Sequence, residues 1–323
     1  MPSSALATAA ALPATDPPHH DQLRALINKG FTPRRVAASE PRIRETTRRL
    51  VDELEDEFDL VPSLSIPLPV IVIAEMLGVE AERLPDFRKW SDAFVGLLES
   101  PPTSELMDAA QGLLGYFGAL AEERRREPRE DLISAIVHAE IDGRRLEQSE
   151  LDGFWIILLV AGNETTTNLI SNQLRILSER PGLWKRLRDD RSLVPAAVEE
   201  TVRFDCPVQN LGRQTTREVE LSGTTIPEDS RVIVSYGAAN RDPAEFEAAD
   251  EYRPQRSERR HLGFGQGVHF CLGAGLARLE GSIVLNALLD RYETIEAGSG
   301  TPVRLQSSVI RGFESLPLRG TRS

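Results

Sequence analysis

The stretch HLGFGQGVHFCLGAG, residues His261–Gly275, contains Cys271, one of only two cysteines in the 323-residue chain. Cys271 stands where a loop meets a helical pattern, and the free N–H groups and positive dipole end of a helix start favour an anion such as a thiolate. Glycines in this loop leave out side chains where a flat, bulky group approaches the backbone. The glycines concerned are Gly265, Gly267, Gly273 and Gly275.

Three chemical roles for this cysteine compete with a purely structural one. A zinc site needs further cysteines or histidines at short spacing, which the stretch lacks. A cysteine nucleophile needs a base held by a third group, and His269 alone is weak support for that. An axial thiolate on haem iron needs one cysteine only and fits best. On composition alone, a buried structural cysteine beside a glycine-rich turn explains Cys271 equally well.

Composition indicates a globular protein and excludes several partners. Hydrophobic residues make up 40% and charged residues 27%, enough for a sizeable core. The net charge of -12 argues against nucleic acid or an anionic membrane as the main partner. Two cysteines cannot form a disulfide framework, which favours a cytoplasmic location. The longest apolar run, Phe154–Gly162, is too short to cross a bilayer.

The chain is predicted to be mainly α with small β-sheets. A helical pattern extends from Asp21 to about Leu193, and period-two alternation after Leu211 indicates short strands. A last helix is predicted from Cys271 to about Tyr292. No linker separates these parts, so residues 16–323 form one domain in this interpretation, after a flexible N-terminal lead-in at 1–15.

The cysteine loop resembles the haem-binding signature of the cytochrome P450 family, Phe-x-x-Gly-x-x-x-Cys-x-Gly. Phe264, Gly267, Cys271 and Gly273 match it, and His269 with the following LGAGLARLE matches its bacterial form. The resemblance implies a soluble haem-thiolate monooxygenase with haem b (iron protoporphyrin IX) and Cys271 as the metal ligand. Such an enzyme inserts one oxygen atom from O2 into an organic substrate.

The stretch AGNETT, Ala161–Thr166, lies inside the long apolar pattern although Gly162, Asn163 and the threonines are poor helix residues. A local sequence that opposes its own element often marks a functional site. The alternative is a helix N-cap with Glu164 in the first turn. The stretch resembles the oxygen-activation motif of the family. That implies catalytic roles for Glu164 as the acid and Thr165 as the hydroxyl that relay protons for heterolytic O–O cleavage.

The sequence EETVR places Glu200 and Arg203 three residues apart on one helical face. Taken alone, this spacing is typical of a solvated surface pair. It resembles the Glu-x-x-Arg motif of the family, and Arg256 falls where the family supplies a second arginine. The implied role is a buried structural network that pins the irregular segment before the cysteine loop.

The sequence HHDQLR places His20 and Arg24 one helical turn apart, typical of a solvated helix start and also suited to binding carboxylates. By resemblance, His20 and Arg24 contact the haem propionates together with Arg213 and His269. The neighbouring His19 competes with His20 for that place.

Partners and substrate follow from the resemblance and from residue character. Electrons are expected from separate proteins, a ferredoxin and a ferredoxin reductase, since no Gly-rich nucleotide site appears. Arg253, Arg259 and Arg260 are the predicted basic docking residues. Apolar or small side chains are predicted to line the pocket, which implies a hydrophobic small-molecule substrate. These lining residues are Ile157, Ala161, Val208, Leu211 and Ile310.

Bacterial members of the family begin well before the propionate helix, so the resemblance implies an N-terminally shortened cytochrome P450 fold. In the family, the N-terminal segment before the propionate helix supplies edge strands of the main sheet and part of the substrate lid. Two alternatives to the monooxygenase therefore stay open. One is a truncated haem-binding protein without monooxygenase turnover, and the other is an inactive remnant that binds no haem. The intact cysteine, threonine and Glu-x-x-Arg motifs count against decay into such a remnant.

Overall fold

The computed structural model describes residues 12–99, 103–141, 143–257 and 260–322. Within these ranges helices predominate. The α-helices are α1 (His19–Asn28), α2 (Pro33–Asp52), α3 (Pro67–Met76), α4 (Leu84–Glu99), α5 (Ser104–Arg126), α6 (Leu132–Val137), α7 (Gln148–Ser178), α8 (Pro181–Asp189), α9 (Val194–Phe204), α10 (Tyr236–Ala239) and α11 (Ala274–Arg291). A five-residue π-helix at Val61–Ser65 precedes α3.

The strands are short and antiparallel. They are β1 (Glu57–Asp59), β2 (Glu140–Ile141), β3 (Arg144–Arg145), β4 (Asn210–Gln214), β5 (Val219–Leu221), β6 (Thr224–Ile226), β7 (Arg231–Ser235), β8 (Tyr292–Ala297), β9 (Val303–Arg304), β10 (Phe313–Ser315) and β11 (Pro317–Arg322). In the three-stranded sheet β11 lies between β1 and β8. Strand pairs β2–β3, β4–β7, β5–β6 and β9–β10 form separate two-stranded sheets.

Helix α7 is the centre of the molecule. It begins with a capping box in which Glu147 and Glu150 each accept a backbone N–H of the first turn. Its first half packs in one buried cluster with α3, α4 and α5, and its second half packs in another with α9 and α11. Trp155 and Leu174, both 0% exposed, belong to these two clusters. The helix therefore connects both halves of the core.

The predicted mainly α class with small sheets is confirmed, and local boundaries differ. The last helix begins at Ala274 and not at Cys271, because Gly273 still has a non-helical conformation. Leu12–Ala14, within the predicted lead-in, form a 3-10 turn, and Leu12 is buried in the core cluster of α1. Residues 1–11 lie outside the described part. Among the described residues, no helix combines the length and apolarity that crossing a membrane requires.

Candidate functional site

The cysteine loop is shaped by two glycines in the left-handed region. Gly265 has φ 71° and Gly267 has φ 73°, values that a side chain makes strained. The turn lets the Cys271 N–H donate to the Phe264 carbonyl at 2.8 Å, and the Phe270 N–H donates to the Gly267 carbonyl at 3.0 Å. The result is a closed loop that presents Cys271 three residues before α11.

The Cys271 thiol lies in a low-dielectric environment, and the positive charges near it stabilise a thiolate only weakly. Burial raises the pKa of the thiol, against the opposing effects of the Gly273 and Ala274 N–H groups and of the charges on Arg24 and Arg278. The protein alone therefore favours the neutral thiol. A bound metal cation deprotonates a coordinating thiol outright. The donor set thus fits a cofactor that brings its own metal charge.

Basic side chains from separate elements converge beside this loop. The rings of His20 and His269 lie 4.4 Å apart, and Arg24 donates from Nη2 to the Phe270 carbonyl at 2.7 Å. Burial lowers the pKa of His269, and the charges of His20 and, from strand β4, of Arg213 lower it further. By contrast, His19 is 45% exposed and faces Glu150 at 3.9 Å. The structure thus places His20 beside the cysteine loop and His19 away from it.

This basic cluster fits the carboxylates of haem. His20 is 1% exposed, its Nδ1 bonds Asp21 at 2.9 Å, and its Nε2 is buried without a partner. A buried imidazole nitrogen without a partner, beside the Arg24 guanidinium, marks a place where a polar group can bind. On the same loop Val268 is 50% exposed and Phe270 is 42% exposed. Exposed apolar side chains next to clustered positive charge match a flat, apolar group with acidic arms.

The Ala161–Thr166 stretch lies inside α7, which is continuous from Gln148 to Ser178. The alternative of a helix N-cap with Glu164 in the first turn is therefore wrong. The Thr165 hydroxyl donates to the Ala161 carbonyl at 2.8 Å, the back-bonding that loosens a helix turn. Thr165 and Glu164 are half-buried and Ala161 is exposed, so this turn borders an open space.

Glu200, Arg203 and Arg256 form a buried network, as their motif implies. Arg203 donates to both carboxylate oxygens of Glu200 at 2.8 and 2.9 Å, and Arg256 Nε lies 3.2 Å from Glu200. Arg203 also donates to the carbonyls of Asn240 and Ala249 at 2.8 and 2.9 Å. These bonds attach the irregular segment before the cysteine loop to α9.

A second charged group on the α11 side of the loop was missed by sequence reasoning. Arg278 donates to Glu199 at 2.5 and 3.1 Å, and its guanidinium carbon lies 4.4 Å from the Phe264 ring centroid. His261 Nε2 lies 3.1 Å from the Glu199 carboxylate. The signal available was Arg278 in LARLE, one helical turn after Ala274. Its partner on another helix carries no such spacing.

We expect Glu199 to contribute to the stability of the fold against acid. Burial opposes its ionisation, but hydrogen bonds from His261 and Arg278 outweigh burial and lower its pKa to about 2. Since this lies below the unfolded value of about 4.3, the unfolded chain binds more protons between these values. We expect Glu199→Gln to lower stability at neutral pH and to flatten the loss of stability as pH falls from about 4.5 towards 2.

Urea unfolding at a series of pH values measures this effect. The matched control is Glu220→Gln on the exposed strand β5, which we expect to leave the pH profile unchanged. An unaltered acid slope in Glu199→Gln would contradict the assignment.

The structure describes two of the three predicted docking arginines, and these two lie in different surroundings. Arg253 pairs with Glu251 at 2.8 Å and lies 3.7 Å from Glu247, so two carboxylates partly offset its charge. Arg260 is exposed, and Arg259 lies outside the described residues.

Among the predicted pocket residues, Val208 and Ile310 pair as an isolated antiparallel bridge. Leu211 is 41% exposed on β4, and Ile157 lies one helical turn before Ala161 on α7.

A mainly α fold with a half-buried cysteine on a glycine loop, faced by basic side chains, has the features expected of a haem-thiolate protein. A family model described as Cytochrome P450 matches residues 70–313. The chain belongs to the cytochrome P450 family.

Individual relatives agree with this assignment. The chain is 39% identical to erythromycin C-12 hydroxylase of Saccharopolyspora erythraea over 314 residues, which cover 95% of this chain and 77% of the hydroxylase. It resembles the structure of CYP109Q5 from Chondromyces apiculatus with a TM-score of 0.90 and 44% identity, covering 97% of this chain and 80% of that one. CYP109E1 from Bacillus megaterium in complex with testosterone matches with a TM-score of 0.90 and 40% identity, covering 96% and 86%.

These findings confirm the class of enzyme. The protein is a P450-type monooxygenase, an oxidoreductase, of a family whose cofactor is haem b. The alternative of a non-haem inactive remnant receives no support from them.

Proposed function

We propose that Cys271 would supply the protein's ligand to the iron of haem b and that the protein oxidises a hydrophobic small molecule in the cytoplasm with electrons from a ferredoxin and its reductase. One observation carries this proposal. Cys271 lies in a closed glycine loop, and basic side chains from α1, β4 and the loop itself converge beside it. His20, Arg24, Arg213 and His269 are the proposed propionate ligands.

The chain's own residues divide the work around the cofactor. Haem b, when bound, supplies the one-electron redox chemistry and the place where O2 reacts. The Cys271 loop holds the thiolate, and Arg24 both fixes that loop through the Phe270 carbonyl and offers charge to a propionate. The half-buried position of this group excludes much of the water that would otherwise screen these charges.

We assign proton handling to the turn of α7 between Ala161 and Thr165. The Thr165 hydroxyl donates its own proton to the Ala161 carbonyl, so its lone pairs are available to accept a second hydrogen bond. Glu164 is half-buried beside it and has a carboxyl group, which can take up and release a proton. We propose that Glu164 supplies protons. We propose that Thr165 accepts a hydrogen bond from the proton-donating group and so holds that group in place.

A hydrophobic substrate is supported by the pocket side chains and by relatives. Val208, Leu211 and Ile310 are apolar, and apolar walls with few polar groups are typical of small-molecule sites. A similar protein has been solved in complex with testosterone, and another is named erythromycin C-12 hydroxylase. For the redox partner, Arg260 is the predicted docking residue that is both described and exposed.

Thr165→Ala tests the proposed proton role. We expect electron consumption to continue while the yield of hydroxylated testosterone per nicotinamide cofactor consumed falls by about tenfold or more, since general acid–base contacts contribute at least that much. Product and hydrogen peroxide are measured together, with a surrogate ferredoxin and reductase. Thr165→Ser keeps the hydroxyl and should keep most of the yield.

Equal yields in the alanine variant and the unmodified protein would contradict the assignment of Thr165. Peroxide without any product in the unmodified protein would favour the alternative of a haem-binding protein without turnover on this substrate.

A further inference from the structure

Two segments that carry predicted pocket residues run side by side. One follows α9 and the other belongs to the β9–β10 hairpin. The paired residues are Pro207, Val208 and Gln209 on the first segment and Val309, Ile310 and Arg311 on the second. Two backbone N–H···O bonds, both 2.8 Å long, flank the Val208–Ile310 bridge. The spacing of these two lining side chains therefore depends on how firmly the segments are held together.

A buried carboxylate holds the ends of this ladder. Asp205 is 7% exposed and stands at the C-terminal end of α9. It accepts a hydrogen bond from Arg311 Nε, and its carboxylate lies 3.6 Å from the guanidinium of Arg304. A buried charge needs such partners, so Asp205 ties the start of one segment to both parts of the other. Arg304 is fixed further by stacking on Phe313 at 3.9 Å.

An asparagine of α7 binds the same cluster from the core side. Asn172 is 0% exposed, and its Nδ2 donates to the carbonyls of Asp205 and Arg311 at 3.0 and 2.9 Å. Its Oδ1 accepts from Arg304 at 3.3 Å. Asn172 lies about two helical turns after Thr165 and so on the same face of α7. Both segments are thus registered against the helix that carries the proposed proton relay.

We propose that Asp205, Asn172, Arg304 and Arg311, the Asp205 cluster, are positioning residues that determine which hydrophobic ligands fit the pocket. The cluster acts through the spacing of Val208 and Ile310 and not by touching the ligand. This inference rests on the proposed function, because it takes those two side chains as pocket walls. The proposal assigns a role in ligand specificity to four residues that no sequence motif identifies.

The variant Asp205→Asn removes the charge and keeps the shape. The haem-loaded full chain is titrated with imidazole and with clotrimazole, and binding is followed in the visible spectrum. Imidazole is small enough to ligate iron without touching the walls, whereas the three aryl rings of clotrimazole must fit between them. We expect the clotrimazole Kd to change by about tenfold or more while the imidazole Kd stays within about twofold.

The control variant is Glu57→Gln, which breaks the exposed pair with Arg319 on the β1–β11 sheet. It should leave both Kd values unchanged. Equal changes for the two azoles in Asp205→Asn would show general damage and overturn the proposal, as would no change in either. If Asp205→Asn does not fold, Arg311→Gln at a half-exposed side chain takes its place.

Hydrogen exchange of the Gln209 and Arg311 amides tests the positioning without haem. Both amides donate across the ladder, and we expect faster exchange in Asp205→Asn and Arg311→Gln than in the control. If the unmodified chain gave no azole spectrum, the proposed haem ligation would fail, and this exchange would still decide the positioning role. Unaltered exchange in both variants would overturn it.

Discussion

Cys271→Ser is expected to abolish the strongly red-shifted Soret band of the reduced, carbon monoxide-treated protein. Serine keeps the shape of the side chain and the loop bond from the residue 271 N–H to the Phe264 carbonyl, so the chain should fold as before. Its hydroxyl does not ionise under conditions where a metal-bound thiol does. The visible spectrum of the purified protein, with and without the substitution, measures the effect.

The second cysteine supplies a matched control. Cys206 is 1% exposed, and its thiol bonds to the Val208 carbonyl at 3.1 Å, away from the loop. Burial raises the pKa of Cys206 to about 12, so this thiol stays protonated. Cys206→Ser should retain the red-shifted band. A band that survives in Cys271→Ser would overturn the assignment of the axial ligand.

Arg203→Ala is expected to lower the free energy of unfolding by about 3–5 kcal/mol, the range for breaking a buried ion pair from one side. The side chain is 2% exposed and donates to Glu200 and to the carbonyls of Asn240, Ala249 and Glu251. Its removal leaves a 4%-exposed carboxylate with Arg256 as the remaining side-chain cation. Urea unfolding of the full chain measures the change.

An exposed pair on the neighbouring helix gives the comparison. Lys185 and Asp189 on α8 are 77% and 63% exposed and lie 2.6 Å apart at i,i+4 spacing. We expect Lys185→Ala to change the free energy of unfolding by less than about 0.5 kcal/mol. Similar small changes in Arg203→Ala and Lys185→Ala would show that the buried network does not support the fold.

The sequence predicted the parts of this molecule that are encoded locally. Apolar residues at helical spacing predicted the helical class, and the glycine spacing around Cys271 predicted the loop. The Asp205 cluster and the Glu199–Arg278 pair were not predicted, because their members lie on different elements and their spacing along the chain carries no period. The AGNETT stretch left two possibilities open, and packing of α7 on both halves of the core decides for the continuous helix.

The position of β11 between β1 and β8 has a consequence for synthesis on the ribosome. Glu57 of β1 pairs with Arg319 of β11, 262 residues later in the chain. While the polypeptide is still being extended, neither outer strand has its neighbour, and both present unpaired backbone edges. The sheet closes only once Pro317–Arg322 have emerged, so incomplete nascent chains are the species in which these edges are open to wrong pairing.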